Sequence, residues 1–402
     1  MSKVKGIKDY AGKEALKLRK IVETIRKYFR LYGFQELVTG CLEKREVLQT
    51  KDTSEEIISD TFKLEDRGKR KLGLRYELTV TLARFLKENQ VKLPFKRFEI
   101  GEVWRDEPTK PGRYREFLQA DADVVGSASI LADAECLLLT KDIFKELGIK
   151  IEILVNSRKL LNGILEYLDI KEKEKVLVEI DKISKKGREE VKKELSRVIG
   201  MEKTKKLFSI LERNLKEIEK INNKNVQQGV KEIKELIRLT KAKFSPFLAR
   251  GLAYYTGNVF EVYSKDFKFA LAAGGRFDRK IIIQGRKIPS VGISFGINRI
   301  VEIYKKEEAF ADVLIIQIGE EREKAEALKL AEKLRKKEIK IDLAYEGITK
   351  ALNYANSLAI PFVIFLGKKE LEKKKIKLRD MKTGKEQLLN EKQIIEKLKN
   401  NF

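Results

Sequence analysis

The chain has 402 residues, of which 42% are hydrophobic, so it is long enough for two or three domains with well-formed cores. Its 87 Lys and Arg residues exceed its 62 Asp and Glu residues by 25. This positive charge suits binding to a large polyanion such as RNA. It is equally typical of a Lys- and Glu-rich thermophilic composition. The chain has no histidine and two cysteines, Cys41 and Cys136, which excludes catalysis by a protein histidine, a disulfide framework and an ordinary structural zinc site.

The N-terminal part of the chain is predicted to mix helices and short strands. Apolar residues recur every three or four positions over 13–32, which predicts an amphipathic helix closed by Gly33. A short strand is predicted over 34–39, and alternating side chains predict a second strand over 72–79. A helix over 80–89 is expected to follow.

The most informative stretch runs from Trp104 to Gly126 and follows a strand predicted over 95–105. Its second half alternates, which is typical of a strand with two different faces. The apolar face carries Leu118, Ala120, Ala122 and Val124. The other face carries Phe117, Gln119, Asp121 and Asp123.

A turn precedes this strand and is flanked by two arginines, Arg105 and Arg113. Its turn residues are Pro108, Pro111 and Gly112. The strand, turn and strand therefore present guanidiniums and carboxylates on one surface. We interpret that surface as a site for a molecule with both a phosphate and an amine.

The middle of the chain changes character twice. A helix is predicted over 130–147, closed by Gly148, and a strand over 151–156. From about 160 to 240 there are no strand-like runs, which predicts a module of several helices with a break at 222–229.

Strand character then returns over 248–263 and 269–273. Residues 289–306 are predicted to form a strand and then a helix, with Arg299 in the first turn of that helix. We place a domain boundary at 306–311.

The C-terminal part alternates strands with helices, which predicts a small parallel or mixed α/β domain. It opens with a continuous apolar strand over 311–319, typical of a strand buried on both faces, and a helix over 321–337. Further elements are predicted at 340–347, 349–358, 361–367, 376–380 and 385–389, with a last helix near 391–399.

Several motifs now identify a family resemblance. The stretch WRDEPTKPGRYREFLQADADVVG resembles motif 2 of class II aminoacyl-tRNA synthetases and, more narrowly, of histidyl-tRNA synthetases. RGLAYYTGNVFE resembles the histidine-binding motif of that family, and LRYELT its amino-acid-binding strand. GGRFD and GISFGINRI resemble its second histidine motif and motif 3, and ALNYANSLAIPFVIFLG is similar to its anticodon-binding domain. Five motifs occur in the order that the family has, and the resemblance covers nearly the whole chain.

The resemblance implies an α+β fold, in which helices flank the antiparallel sheet of a class II synthetase. The catalytic domain would comprise 1–159, with motifs 1 and 2, and 241–308, with the histidine motifs and motif 3. A helical insertion would span 160–240, and an α/β anticodon-binding domain would span 311–402.

The implied activity is the ATP-dependent ligation of L-histidine to tRNA(His) through a histidyl-adenylate. One alternative is a non-catalytic paralogue, such as the regulatory subunit of ATP phosphoribosyltransferase, which lacks the anticodon domain and typically loses the arginines. Another is a tRNA-binding or kinase-regulating module on an inactive synthetase fold.

The resemblance also assigns the ATP-binding residues. Arg105 and Arg113 would contact the α- and γ-phosphates, because a guanidinium binds phosphate oxygens bidentately and keeps its charge. Glu107 would lie at the adenine end, and Phe117 and Arg299 would stack on the two faces of adenine.

The histidine-binding residues follow from the same motifs. Glu77, Thr79 and Gln119 would hold the α-ammonium, and Asp123 and Tyr255 would read the two ring nitrogens.

Two further residues complete the implied site. Arg250 would bridge the histidine carboxylate and the α-phosphate and, together with Arg105, would be catalytic. Tyr254 would shape the wall of the pocket.

The sequence departs from the family pattern at five positions. Ala253 and Phe277 stand where the family usually has Asp and Tyr, and Arg279 stands where it usually has Gly. Gly40 replaces a usual proline in motif 1, and Asn298 replaces an acidic residue before Arg299. We expect these changes to affect fine tuning, since the phosphate-handling arginines Arg105, Arg113 and Arg250 are all present.

The resemblance further implies partners and a location. Histidine, ATP and tRNA(His) would be bound, Mg²⁺ is expected without an assigned ligand, and a homodimer would form through the motif 1 region. No run approaches a membrane span and no charged-then-apolar leader opens the chain, so a cytoplasmic protein is expected.

Overall fold

A computed structural model describes residues 2–49, 58–109, 112–250, 255–306, 309–373 and 375–400. The chain divides into two compact units: the first comprises 1–9 and 21–304, and the second comprises 10–20 and 305–402. In the described part of the chain, no helix is long and apolar enough to cross a membrane.

Up to residue 304, helices and strands are interspersed along the chain. The helices are α1 (Gly12–Leu31), α2 (Arg45–Leu48), α3 (Leu78–Glu88), α4 (Ile130–Leu147), α5 (Arg158–Tyr167), α6 (Lys173–Asp181), α7 (Ile183–Lys186), α8 (Arg188–Ile199), α9 (Met201–Leu211), α10 (Leu215–Ile218), α11 (Lys224–Thr240) and α12 (Ile297–Ile303). The strands are β1 (Gln35–Glu36), β2 (Leu42–Lys44), β3 (Lys63–Glu65), β4 (Lys71–Leu74), β5 (Phe95–Trp104), β6 (Glu116–Val125), β7 (Glu152–Ser157), β8 (Lys243–Phe244), β9 (Asn258–Ser264), β10 (Phe267–Arg276), β11 (Ile282–Ile283), β12 (Arg286–Lys287) and β13 (Ser290–Gly296).

One large sheet organises the first unit. Its strand order is β1-β5-β6-β13-β10-β9-β7-β8. The outer pairs β1–β5 and β7–β8 are parallel, and all the other neighbours are antiparallel. Small sheets form from β2, β3 and β4 and from β11 and β12. The α+β class predicted from the sequence is confirmed.

One face of the large sheet is covered by an aromatic core. The ring centroid of Phe29 in α1 lies 5.1 Å from that of Phe98 in β5 and 5.9 Å from that of Phe295 in β13. Phe144 of α4 lies 6.0 Å from Phe295, and all four side chains are fully buried. Because successive strand residues face opposite ways, the intervening residues of β5, β6 and β13 lie on the other face. That second face carries the polar residues of β6.

Two predicted helices agree closely with the structure. The helix predicted over 130–147 is α4, and Gly148 ends it in the left-handed conformation. Arg299 lies in the first turn of α12, as predicted. The segment from Arg158 to Thr240 contains only helices and their connections, and Asn223 caps the last of them.

Three predicted strands are wrong in part. The strand predicted over 72–79 ends at Leu74, and a helix begins at Leu78, because Leu78, Leu82 and Leu86 follow a four-residue spacing into the core.

The strand predicted over 248–263 begins only at Asn258, and residues 248–250 and 255–257 lie outside any strand. Leu248 instead closes a turn around Pro246, where its backbone N–H donates to Ser245 O at 3.1 Å. The strand predicted over 34–39 is reduced to the two residues of β1.

The second unit is a five-stranded mixed sheet with helices on both faces. It contains β14 (Val313–Ile318), α13 (Glu321–Arg335), β15 (Ile341–Leu343), α14 (Ile348–Ser357), β16 (Phe362–Gly367), α15 (Lys368–Glu372), β17 (Ile376–Asp380), β18 (Glu386–Leu389) and α16 (Glu391–Lys399). The strand order is β15-β14-β16-β17-β18, parallel over the first three and antiparallel over the rest. Alternate residues of β14 enter two separate cores, so this strand is buried on both faces as predicted.

Candidate active site

Strand β6 carries a buried row of polar side chains on the face opposite the aromatic core. Gln119, Asp121 and Asp123 are 6%, 1% and 3% exposed. Strand β13 places two glycines and Ser294 directly opposite them. The glycine opposite Asp123 leaves room for the Asp123 carboxylate itself. One of the glycines, Gly292, is required by close contact, since a Cβ atom there would lie 1.8 Å from Asp123 Oδ1.

On the other side of β6, strand β5 supplies charged partners. The antiparallel register places Arg97 opposite Asp123 and Glu99 opposite Asp121. Arg97 Nη2 lies 2.7 Å from Asp123 Oδ2, and Arg97 Nη1 lies 3.6 Å from Glu99 Oε2. Glu99 Oε1 in turn lies 2.8 Å from Arg75 Nη1. An unpaired buried charge is costly, so these contacts hold Asp123 in one place.

The two aspartates of the row have altered acidity. Burial, and then the Asp123 charge, raise the pKa of Asp121 to about 7, against the opposing effects of Arg97, Ser294 and Gln119. Burial raises the pKa of Asp123 to about 6; Arg97 opposes this change, while Glu77 and Glu99 add to it. The Gln119 amide donates to Asp121 Oδ1 at 2.9 Å. A bound cation would favour the ionised form of both aspartates.

Glu77 and Thr79 enter this region from the start of α3. Glu77 precedes the first residue of the helix, and its side chain makes no capping hydrogen bond. Glu77 Oε1 lies 3.6 Å from Lys280 Nζ, and both side chains are less than a tenth exposed. Arg97 Nη2 donates to Leu78 O at 3.3 Å, which ties the start of α3 to the charged row.

These side chains form one connected set, which we call the buried charge network. Its members are Arg75, Glu77, Arg97, Glu99, Asp121, Asp123 and Lys280.

A cluster of arginines lies at the other end of β6. The Arg105 guanidinium carbon lies 5.1 Å from the ring centroid of Phe117, and Arg105 Nε donates to Tyr76 O at 3.3 Å. Arg113 Nη1 pairs with Glu107 Oε2 at 3.0 Å. Arg113 also lines an open cavity of about 440 Å³ together with lysines of the N-terminal segment.

Arg299 joins this arginine cluster. Its Nε donates to Gly112 O at 3.2 Å and its Nη1 donates to Ala270 O at 2.8 Å. Burial, and then the charges of Arg105 and Arg113, lower the pKa of the Arg299 guanidinium. Three positive charges that repel one another favour an anionic ligand.

Arg250 adopts a left-handed backbone conformation, with φ of 53°. Its Nη1 lies 2.9 Å from Glu261 Oε1, and its Nη2 donates to the Tyr255 hydroxyl at 3.4 Å. The Arg250 side chain is 21% exposed. Burial alone would lower its pKa, but Tyr255 and Glu261 outweigh that effect and raise it. A permanently charged, partly exposed guanidinium is suited to an anionic ligand.

The positions that depart from the family pattern have different surroundings. Ala253 lies outside the described residues, and so does Tyr254, which was predicted to shape the pocket and matches the family pattern. Phe277 is 4% exposed and packs in a core cluster with Tyr255 and Ile281. Asn298 Oδ1 accepts a hydrogen bond from the Leu118 backbone at 2.8 Å, so this amide fixes the start of the polar row.

Four members of the buried charge network, Arg75, Arg97, Glu99 and Lys280, are not among the site residues predicted from the motifs. Arg97 and Glu99 are charged residues two positions apart within an otherwise largely apolar strand, and both are buried. That spacing places them on one face, which is the signal that could have found them. Lys280 carries no such signal, because it follows a tight turn in which its N–H donates to Phe277 O.

Among the described residues, no group of three acidic, histidine or cysteine side chains is placed to hold a metal ion.

The sheet, its polar face and the second α/β unit together define the class II aminoacyl-tRNA synthetase fold. A histidyl-tRNA synthetase from Nostoc sp. PCC 7120 superposes with a TM-score of 0.87 at 25% identity, covering 100% of this chain and 99% of that one. Residues 6–300 match the family described as histidyl-tRNA synthetase, and residues 312–401 match the family described as anticodon binding domain. The chain belongs to the histidyl-tRNA synthetase family.

Two relatives illustrate the range of similarity. A histidine–tRNA ligase 1 from Bacillus cereus is 37% identical over 414 aligned residues, which cover 96% of this chain and 94% of that protein. A Bacillus halodurans protein titled an ATP phosphoribosyltransferase regulatory subunit/histidyl-tRNA synthetase has a TM-score of 0.73 at 21% identity, covering 91% of this chain and 98% of that one. This second likeness concerns the fold alone.

Proposed function

We propose that the chain ligates L-histidine to tRNA(His) in two steps. In the first step, a histidine carboxylate oxygen attacks the α-phosphorus of ATP, the bond to the β-phosphate oxygen breaks, and pyrophosphate leaves. In the second step, a hydroxyl of the tRNA 3′ end attacks the histidyl carbonyl, and AMP leaves. One observation carries this proposal: the buried polar row and the arginine cluster lie at the two ends of the same strand, β6.

The polar row of β6 and the start of α3 support a subsite for the amino acid. Glu77, Thr79 and Gln119 would receive the α-ammonium, and all three are less than a tenth exposed. Asp123 would accept from one imidazole nitrogen, and Tyr255 would contact the other. A fixed acceptor of this kind discriminates strongly against side chains that lack the matching donor.

The arginine cluster supports a subsite for ATP. Arg105 and Arg113 would contact the phosphates. Arg113 is paired with Glu107 at 3.0 Å, so its guanidinium would have to leave or turn within this pair to reach ATP. Phe117 and Arg299 would flank the adenine, with Glu107 near its amino group.

Arg250 would stabilise the charge that develops during adenylation. Its guanidinium would bridge the histidine carboxylate and the α-phosphate, where negative charge accumulates in the transition state. Its contacts with Tyr255 and Glu261 hold it in one orientation in the absence of substrate. Tyr254 would line the pocket beside it.

The remaining parts are proposed to serve tRNA. The catalytic domain would comprise 1–159 and 241–308, the helical insertion 160–240, and the anticodon-binding domain 311–402. The match of 312–401 to the anticodon binding domain family supports the last of these.

We also propose a cytoplasmic homodimer that uses Mg²⁺ with ATP. The motif 1 region exposes the apolar side chains of Leu31, Val38 and Leu42, which a second copy of the chain would cover. Light scattering during gel filtration would test this, and a monomer at micromolar concentration would contradict it.

No observation favours the non-catalytic alternatives. Arg105, Arg113, Arg250 and Arg299 are all retained, and the C-terminal unit is present.

The direct test of adenylation is ATP–pyrophosphate exchange with each of the twenty amino acids in turn. We expect labelled pyrophosphate to enter ATP only when histidine is added. Exchange that does not depend on histidine, or an absence of exchange by the folded protein, would contradict the proposal.

A further inference from the structure

Lys280 lies in the buried charge network although it is far from the other members in sequence. Its backbone N–H donates to Phe277 O at 2.9 Å, and the next residue, Ile281, is fully buried. Ile281 also accepts a backbone hydrogen bond from Ile288 at 3.0 Å. This anchored turn delivers the Lys280 side chain to the site, where it is only 7% exposed.

The partner of Lys280 is the carboxylate proposed to bind the substrate amino group. Lys280 Nζ lies 3.6 Å from Glu77 Oε1. A charge-assisted hydrogen bond between an ammonium and a carboxylate is shorter, about 2.7–2.9 Å. The pair is therefore held by charge without a close hydrogen bond, and a second ammonium with better geometry could compete for Glu77.

The charge of the network favours such competition. Its four carboxylates are Glu77, Glu99, Asp121 and Asp123, and its three cations are Arg75, Arg97 and Lys280. Arg75 and Arg97 are held on both sides by buried contacts. Lys280 pairs with Glu77, whereas Arg75 and Arg97 pair with Glu99 and Asp123, so a change in the Lys280–Glu77 pair leaves these arginine pairs in place.

We propose that Lys280 neutralises Glu77 in the empty site and that the α-ammonium of the incoming amino acid displaces it. Lys280 then sets the affinity for the amino group, because a ligand with an ammonium must displace Lys280 from Glu77, whereas a ligand without one does not. This inference rests on the proposed function, in which Glu77 receives the amino group.

The test compares two ligands on the full chain by calorimetry at pH 8: histidine, and imidazole-4-propionate, which lacks the amino group. Lys280→Met removes the competing ammonium, so we expect histidine to bind at least about fivefold more tightly, the lower end of ordinary coupling between ligands of a shared site. Binding of imidazole-4-propionate should not change. Lys280→Arg keeps the charge and should bind both ligands like the unmodified chain.

A matched control is Lys287→Met, which removes a positive charge from an exposed position on the neighbouring strand β12. It should change neither affinity. If Lys280→Met fails to fold, Lys280→Gln, which keeps a polar group beside Glu77, carries the same expectation.

Two results would overturn the inference. In one, Lys280→Met weakens both ligands equally, as a purely structural counter-ion would. In the other, it leaves histidine binding unchanged. If the unmodified chain binds no histidine at all, the proposed function itself fails, which is a distinct outcome.

Discussion

Asp121 and Asp123 are buried residues whose titration is linked to the stability of the folded chain. Both pKa values are raised in the folded state, to about 7 and about 6, mainly by burial. The folded chain therefore holds these protons more tightly than the unfolded chain, whose aspartates titrate near pH ~4. The free energy of unfolding should fall as the pH rises from about 4 through about 7.

Asp121→Asn replaces one of these two buried carboxyl groups with an amide, which does not titrate. We expect the variant to unfold at a higher temperature than the unmodified chain at pH 8, by the equivalent of about 1–3 kcal/mol, with the difference shrinking towards pH 5. Calorimetry at the two pH values measures this. The exposed Asp9→Asn change is the control, and a pH-independent effect of Asp121→Asn would contradict the assignment.

Arg250 is the residue on which the proposed chemistry depends most. Arg250→Ala should reduce the kcat of histidine-dependent exchange by about 10²–10³-fold, because one donor to the developing charge is lost. The circular dichroism spectrum should be unchanged. Arg279→Ala removes an exposed arginine and should exchange normally. Wild-type-like exchange by Arg250→Ala would mean that the catalytic arginine lies elsewhere.

At the scale of elements, the site depends on how β5, β6 and β13 lie against one another. Gly292 of β13 leaves no space for a side chain beside Asp123. Gly292→Ala should displace the Asp123 carboxylate and raise the KM for histidine about tenfold or more, the cost of roughly one misplaced charged hydrogen bond. The control is Gly347→Ala at the start of α14, where the space around the residue is open. Equal KM values for both variants would contradict the placement of Asp123.

The elements predicted most closely are those whose apolar runs have clear ends. Helix α4 and most strands and helices after residue 310 agree with the prediction, because glycines such as Gly148 and Gly319 mark where the apolar runs stop. The strand predicted to 79 failed because the alternation ended where the helical spacing of Leu78, Leu82 and Leu86 began.

Members of the candidate site were predicted only where they lie in a motif, as Glu77, Arg250 and Arg299 also do in separate motifs. The polar row of β6 and the flanking arginines lie within a single stretch of sequence. Arg97, Glu99 and Lys280 reach the site through sheet register and a distant turn, which a linear sequence does not specify. The motif positions gave no sign that Glu77 has a lysine partner.

At the scale of the whole molecule, the excess of 25 positive charges should govern binding to tRNA. Raising KCl from about 50 to about 200 mM should raise the KM for tRNA about tenfold or more, because bound cations are released from the phosphates. The KM for histidine in the exchange reaction should change little, since its site is buried. Equal salt dependence of both constants would contradict a role for the surface charge in tRNA binding.

Complete ligation of histidine to tRNA(His) is the activity proposed for the whole chain. Purified protein is mixed with ATP, labelled histidine and tRNA(His), and acid-precipitable label is counted, with a tRNA for another amino acid as the control. We predict ATP-dependent histidyl-tRNA formation on tRNA(His) alone. Folded protein that binds ATP and histidine yet charges no tRNA(His) would contradict the account.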